Sequence, residues 1–224
     1  MLVGGISGLL LQMLHPGALA GVWDHSDFRR DMQGRLRRTA QFISRTTYGS
    51  TRDADAMIAH VRSIHDRVSG VMPDGRPYSA NDPDLLAWVH VAGASSFLES
   101  HVRYGAALTS AERDRYFAET AVIAGKLGAT DVPTGAGAVE QYFAQIRPAL
   151  RADERTRTVA RALLTHPTPS LALAPFSVVV LNAAIALLPP WAARMHGFHR
   201  RSAPRAGDAA VRAVRKLTNW ALAS

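Results

Sequence analysis

The chain has 224 residues and a formal net charge of +8, and it contains no cysteine. This length suffices for one hydrophobic core, so we predict a single domain over residues 1–224. Without cysteine the chain has no disulfide, no thiolate-ligated haem, no iron–sulfur cluster and no cysteine zinc site. Nearly all of the positive charge is arginine, since Lys126 and Lys216 are the only lysines.

Two apolar stretches decide the expected location of the protein. Residues 1–22 lack the basic N-terminal segment of a secretion signal. Residues 170–190 are uncharged and about as long as the shortest bilayer span. Their prolines and Asn182 favour a buried or membrane-surface helix instead. We therefore predict a cytoplasmic protein, with peripheral membrane association as the alternative.

Helical periodicity dominates the chain, and strand-like alternation is nearly absent, so the predicted fold class is all-α. The first short apolar helix runs from Gly4 to about Leu14 and ends at His15-Pro16, because the residue before a proline avoids the helical region. A second short helix covers residues 18–22. Residues 24–31 are predicted to form a polar connection in which Ser26 or Asp27 caps the following helix.

The third and fourth helices carry most of the candidate chemistry. The third is predicted from Met32 to Tyr48, with Gly49-Ser50 as its stop. Residues three and four apart share a helix face. One face therefore aligns Arg35, Arg38, Thr39, Phe42 and Thr46. The fourth helix, residues 53–69, ends at Gly70 and is clearly amphipathic. Its apolar stripe includes His65 and contains Met57, Ile58, Val61, Ile64 and Val68.

Helices are also predicted for the rest of the chain, after a turn-rich loop at residues 72–77. Asn81-Asp82-Pro83-Asp84 is typical of a helix start, and this helix runs to about Tyr104 and carries His90. Another helix runs from Ser110 to about Leu127, before a loop over residues 128–137. Three or four more follow. They are separated at Pro167-Thr168-Pro169 and at Pro189-Pro190, and the last ends near Leu222.

The residue pattern favours a single imidazole ligand over a histidine-pair metal site. Zinc-binding histidines on a helix are three or four residues apart, whereas His60 and His65 are five apart and point to different sides. An imidazole facing Arg35, Arg38 and Thr39 is what a haem b pocket needs, because arginines bind the propionates. The alternative interpretation of His65 is an ordinary hydrogen-bonded core histidine. On periodicity alone, His90 is an equal rival as the ligand.

Other kinds of site find little support. Gly4-Gly5-Ile6-Ser7-Gly8 follows no strand, and no Gly-x-Ser-x-Gly occurs, so neither a nucleotide loop nor a nucleophile elbow is predicted. Basic residues cluster at 29–52 and 194–216, where phosphate or an anionic membrane surface could bind. The second cluster lacks the interleaved aromatic residues of a single-strand groove. We expect no nucleic-acid partner.

Several motifs occur in a fixed order along the chain. They are Leu9-Leu10-Leu11-Gln12 with His15-Pro16, Gly34-Arg35-Leu36 with Arg38-Thr39, Ile64-His65, residues 78–83, and Trp88-Val89-His90. Together they resemble the family that contains the latex clearing protein rubber oxygenases and the membrane-associated oxygenase of mycophenolic acid biosynthesis. The resemblance covers residues 4–120 and returns at residues 187–190 and 195–197. Because the chain begins almost at the first motif, we expect that an upstream helix of this family is missing.

The resemblance implies a helical bundle with a globin-like core around haem b. It assigns His65 as the proximal histidine and iron ligand, and His90 as a second cofactor-binding histidine. It also assigns Arg35, Arg38 and Thr39 to the propionate and distal side. Arg38 stands where the rubber oxygenases have a lysine that resembles a distal iron ligand. A guanidinium stays protonated and does not coordinate iron in that way.

The family's distal glutamate is also missing, because no glutamate precedes Arg35. Asp24 and His25 are the alternatives for that role.

We therefore expect a haem b oxygenase that uses dioxygen or peroxide on an apolar small substrate, with reaction at a carbon–carbon double bond as its specific form. Arg38 and Thr39 are the predicted catalytic residues, orienting a propionate or a bound oxygen species. A backbone carbonyl or an acid is expected to hold the second ring nitrogen of His65. The alternatives are a haem sensor or carrier without turnover, and a helical protein that binds nucleic acid or a membrane surface.

Overall fold

The computed structural model describes residues 1–165, 174–198 and 211. Over these residues the fold is all-α, as predicted, with a single small β-hairpin. A 3₁₀ turn at Arg147–Ala149 follows α7, and the strands are β1 (Ser69–Val71) and β2 (Pro77–Ser79). The helices are α1 (Leu2–Gln12), α2 (Pro16–His25), α3 (Met32–Tyr48), α4 (Thr51–His65), α5 (Pro83–Tyr104), α6 (Ser110–Leu127), α7 (Ala136–Ile146), α8 (Glu154–Leu164), α9 (Ala174–Leu187) and α10 (Pro190–Met195).

The closest helix packing in the fold joins α1 to α5, and glycine makes it possible. A Cβ atom on Gly4 would lie 2.9 Å from the carbonyl oxygen of Ser96 and 3.0 Å from the Cα of Phe97. At Gly8, one turn further along α1, the Cα of Gly93 would be 3.4 Å away. The two helices therefore run antiparallel with their backbones in near contact.

Two hydrogen bonds fix the register of this packing. The Gln12 amide donates from Nε2 to the carbonyl of Val89 at 2.8 Å, and the Trp88 indole donates from Nε1 to the carbonyl of Gln12 at 3.0 Å. Trp88 is fully buried, with 0% exposure. These bonds therefore also fix the level of His90, two residues after Trp88, relative to α1.

The α1–α2 break is located as predicted, but α2 is longer than expected. The His15 ring caps α2 by accepting from the backbone N–H of Gly17 at 3.2 Å, and Pro16 occupies the first turn. The cap of α3 is neither Ser26 nor Asp27, so that prediction is wrong. Asp31 accepts from the N–H of Gly34 at 2.7 Å, while Asp27 binds Arg30 in the preceding turn.

The helix α3 has the predicted bounds, whereas α4 ends at His65 and not at residue 69. The reason is strand pairing, which sequence periodicity did not reveal. Residues 69–71 pair antiparallel with residues 77–79, and the N–H of Ala80 donates to the carbonyl of Val68 at 2.8 Å. The predicted loop at residues 72–77 forms the turn of this hairpin at residues 72–76, where Gly75 adopts a φ of +84°, and residue 77 begins β2.

The later helices agree with the sequence pattern where the structure describes them. A capping box between Thr109 and Glu112 starts α6, and Pro189-Pro190 separates α9 from α10. The predicted break at Pro167-Thr168-Pro169 and the predicted end near Leu222 lie outside the described residues. Among the described helices none is long and apolar enough to cross a bilayer by itself. The pair α1 and α2 meets that test together, with a bend of 104°.

The α1–α5 contact predicts a difference between two glycine substitutions. Gly4→Ala places its methyl group against backbone atoms and should lower the free energy of unfolding by about 1–3 kcal/mol. Gly8→Ala meets only ordinary contact distances and gains helix propensity, so it should change that free energy by less than about 1 kcal/mol. Urea denaturation followed by circular dichroism measures both. Equal effects of the two variants would contradict this description of the contact.

Candidate functional site

Most apolar side chains on the shared face of α3 and α4, the α3–α4 hairpin, are not fully buried by the described residues. Only Met32, Gly34 and Ile58 are buried in these two helices. An amphipathic helix normally buries its apolar stripe against another element. Most of this stripe is instead half-buried, and the half-buried apolar side chains are Leu36, Phe42, Ile43, Met57 and Val61. The described part of the chain therefore does not complete the packing of this face.

Contacts at both ends attach the hairpin to the rest of the fold. The Tyr48 hydroxyl, at the end of α3, donates to the Met1 sulfur at 3.5 Å, next to the start of α1. From α4, the Arg62 guanidinium donates to the carbonyl of Lys126 at 3.1 Å, and the Lys126 ammonium binds Asp55. The hairpin therefore connects the start of α1 with the end of α6.

His90 lies on a face of α5 that packs against α1 and α6. Residues three, four and seven positions after His90 share its helix face. Of these, Gly93 and Phe97 contact α1, and the carbonyl of Ala94 accepts from the Tyr116 hydroxyl of α6 at 3.1 Å.

Burial keeps the His90 ring neutral. Loss of hydration lowers its pKa to about 4. Within the described residues no hydrogen bond reaches either ring nitrogen.

His65 is the last residue of α4 and is half-buried. Burial lowers its pKa below the usual value, and the nearby carboxylate of Asp66 opposes this only in part. The ring is therefore neutral at pH 7. Its Nδ1 atom is buried and has no hydrogen-bond partner among the described residues. The backbone carbonyl or acid that we expected at the second ring nitrogen is thus not found.

Arg35 lies across the hairpin from His65. Arg35 and His65 are separated from the Gly49-Ser50 turn by about the same number of residues, on opposite sides of it. Both residues therefore lie at one level of the antiparallel helix pair. Burial lowers the pKa of Arg35 to about 10, and the charge of Arg38 contributes. No anion or hydrogen-bond acceptor binds its guanidinium within the described residues. A desolvated cation without a partner is unusual and favours an anionic ligand.

Arg38 and Thr39 have other interactions. The Thr39 hydroxyl donates to the carbonyl of Arg35 within the same helix at 3.1 Å. The Arg38 guanidinium pairs with Asp31 at 3.4 Å and its side chain is 59% exposed. Arg35 and His65 thus lie at one level of the hairpin, His90 lies on α5, and Arg38 is a surface residue.

The two alternatives for the missing acid are already engaged near the β-hairpin. Asp24 accepts from the Tyr78 hydroxyl at 2.7 Å, and the His25 ring bonds to the carbonyl of Ser69 at 3.1 Å. The Tyr78 hydroxyl lies directly against Gly70, where a Cβ atom would be 2.8 Å from it. These bonds fasten the end of α2 to the segment that follows His65.

Sequence reasoning missed the structural roles of Gln12 and Tyr78. The signal for Gln12 was present, because a lone amide in an apolar helix needs a partner when it is buried. Tyr78 gave no comparable signal, since its burial depends on strand pairing that the sequence did not reveal. Burial and the Asp24 carboxylate together raise the pKa of Tyr78 to about 12.

The chemistry available at this end of the hairpin is that of the neutral His65 imidazole and the Arg35 cation, which has no partner among the described residues. Within the described residues no three histidine or acidic side chains are grouped to hold a metal ion by themselves. A neutral imidazole nitrogen is a good single ligand for a metal that other donors already coordinate. The guanidinium would bind a carboxylate or a phosphate.

Comparison with known proteins gives one match. The chain matches the family model described as "ER-bound oxygenase mpaB/B'/Rubber oxygenase, catalytic domain" over residues 1–220. No match was found among curated proteins or among solved structures. The family match extends well beyond residues 4–120, where the ordered motifs are clearest. The chain therefore belongs to the family of mpaB and rubber oxygenase catalytic domains.

Proposed function

We propose that this protein is a haem b-dependent oxygenase that acts on an apolar small substrate. Membership of an oxygenase family supports the reaction class. The cofactor is proposed from one observation. Within the described residues, a buried imidazole nitrogen has no partner, a desolvated guanidinium has no anion, and both lie at the same level of a hairpin whose apolar face is only half-buried.

The residues present fit the chemical demands of haem b. The porphyrin is flat and apolar, and the half-buried stripe of α3 and α4 offers apolar surface for it. Its propionates are anions, and Arg35 is a cation that has no anionic partner among the described residues. Its iron binds imidazole nitrogens, and the ring of His65 is neutral and not engaged in a hydrogen bond within the described chain.

The chain's own residues would hold and shield the cofactor. His65 would donate a ring nitrogen to the iron, and Arg35 would pair with a propionate. His90, kept neutral by burial, would offer a hydrogen bond or apolar contact from α5. Phe42 and its half-buried neighbours would exclude water from the substrate. When bound, haem supplies the redox chemistry for activating dioxygen or peroxide.

The specific reaction that we propose is oxidative cleavage at a carbon–carbon double bond. Arg38 and Thr39 would act at the distal side. In the present state Arg38 binds Asp31 at 3.4 Å, a distance at the limit for a hydrogen bond, and this exposed pair is easily exchanged for another anion. Thr39 uses its hydroxyl proton within α3 and retains acceptor lone pairs for a hydrogen-bond donor.

A haem sensor or carrier without turnover is the second candidate. The observation that favours it is the state of Asp24 and His25, each of which already has a hydrogen-bond partner away from Arg35. Consumption of oxygen that depends on an added apolar alkene separates the two functions. A carrier would bind hemin and show no such consumption.

Substitution of the two histidines should separate the iron ligand from its neighbour. His65→Ala removes the proposed axial nitrogen and should abolish retention of hemin through gel filtration. His90→Ala should only weaken retention. Soret absorbance of the reconstituted protein measures both. His60→Ala is the matched control, because His60 is exposed on the same helix. A Soret band that survives in His65→Ala and is lost in His90→Ala would reverse the assignment.

The two arginines should also differ. Arg35→Leu removes a desolvated cation and should weaken hemin binding by about 10-fold to 100-fold, as expected for a charge-assisted hydrogen bond. Arg38→Leu alters an exposed ion pair and should change hemin affinity by less than about fivefold. Titration of the unloaded protein with hemin gives both dissociation constants. Equal losses in the two variants would argue against a propionate at Arg35.

A further inference from the structure

The helix α9 exposes a face that carries no charge. The sequence contains no charged residue between Arg161 and Arg194, and α9 lies within this stretch. A surface helix of a soluble protein normally carries charged side chains on its outer face. The exposed residues of α9 are instead Pro175, Val178 and Asn182, which are three and four positions apart and form one stripe, the outer face of α9. Val178 is 57% exposed.

The other side of α9 packs on the core, which fixes the direction of the outer face. Val180, Ala183 and Ala184 are buried in the main hydrophobic cluster, and the Arg103 guanidinium of α5 donates to the carbonyl of Ala186 at 3.0 Å. The 14 residues of α9 span about 21 Å at 1.5 Å per residue. The hydrocarbon core of a bilayer is about 30 Å thick. An apolar helix of this length fits along a membrane surface and does not reach across it.

The positive charge of the chain is concentrated around and after this uncharged stretch. Residues 1–154 contain 16 basic and 17 acidic residues, whereas residues 155–224 contain ten basic residues and one acid, Asp208. Seven of these ten, the basic segment, lie within residues 194–216. The first of them, Arg194, is exposed on α10, which begins three residues after α9 ends. This distribution complements an anionic surface that contacts α9.

We propose that the outer face of α9 and the basic segment dock the protein on the surface of an anionic lipid bilayer. Val178 would lie below the headgroups, and the arginines would bind lipid phosphates. Interfacial binding combines burial of apolar area with attraction to anionic lipids. Nucleic acid also offers phosphates, but it offers no apolar phase for Val178. No residue that we assign to haem lies on α9 or in the basic segment, so each proposal can fail without the other.

A fluorophore at residue 178 tests insertion directly. The chain has no cysteine, so one introduced cysteine carries the label at a single site. Val178→Cys labelled with the environment-sensitive dye NBD should gain emission, shifted to the blue, on addition of vesicles of equal parts phosphatidylcholine and phosphatidylglycerol. Val122→Cys is the matched control, because Val122 is an equally exposed valine, at 58%, on α6. Its emission should not change.

Sedimentation of the full chain with the same vesicles tests the two contributions separately. Val178→Asp places a charge in the apolar layer and should weaken binding by about tenfold or more, whereas Val122→Asp should change it by less than about twofold. Arg200→Gln combined with Arg201→Gln should weaken binding by about tenfold. Arg37→Gln combined with Arg52→Gln removes the same charge from exposed positions of α3 and α4 and should change binding by less than about twofold.

Each of three outcomes would overturn the proposal. Vesicle binding without a change in the dye at residue 178 would show that α9 stays in water. Binding to duplex DNA under conditions in which the vesicles are not bound would assign the basic segment to nucleic acid. A gain in emission at residue 178 that rises with protein concentration and needs no vesicle would indicate a second copy of the chain on α9. Thermal denaturation of each variant without vesicles distinguishes lost binding from lost folding.

Discussion

The architecture depends on the direct backbone contact between α1 and α5. Three glycines allow the approach, and the amide of Gln12 then links the two helices at the level of Val89. This contact buries Trp88 completely and gives α5 a fixed rotation about its axis. That rotation places His90 on a face of α5 that contacts both α1 and α6.

The packing of the α3–α4 hairpin differs from that of the hydrophobic core. Its two helices pack on each other, but the described residues leave most apolar side chains of their shared face only half-buried. Side-chain bonds at Tyr48, Arg62 and Lys126 hold it in place at its margins. Within the described residues, Nδ1 of His65 and the guanidinium of Arg35 lack the partners that folded proteins normally provide for such groups. A bound group would satisfy both requirements together, and this is the physical basis of the proposed function.

Most helices were predictable from the sequence, because their ends carry local signals. The Asp82 carboxylate accepts from the backbone N–H groups of Asp84 and Leu85, and the Glu112 carboxylate accepts from that of Thr109, so both helix starts are fixed within one turn. The β-hairpin was not predictable in this way. Its strands have only three residues each, and Tyr78 is buried through a bond to Asp24, far away in the chain.

The roles of the candidate site residues remain predictions from periodicity and family resemblance, which selected Arg35, His65 and His90. The fold places Arg35 and His65 at one level of the α3–α4 hairpin. Sequence patterns could not reveal that Asp31 holds Arg38 at the surface, or that Nδ1 of His65 has no partner among the described residues, because both depend on tertiary neighbours and not on spacing.

The half-buried apolar face of α3 and α4 also bears on the lifetime of the protein in a cell. Segments with little buried apolar contact open locally at low free-energy cost, and proteases cleave the opened form. Any molecule that occupies the inner face of the hairpin would suppress this opening by mass action. The lifetime of the polypeptide would then follow the supply of that molecule, so that synthesis without it yields chains that are removed quickly.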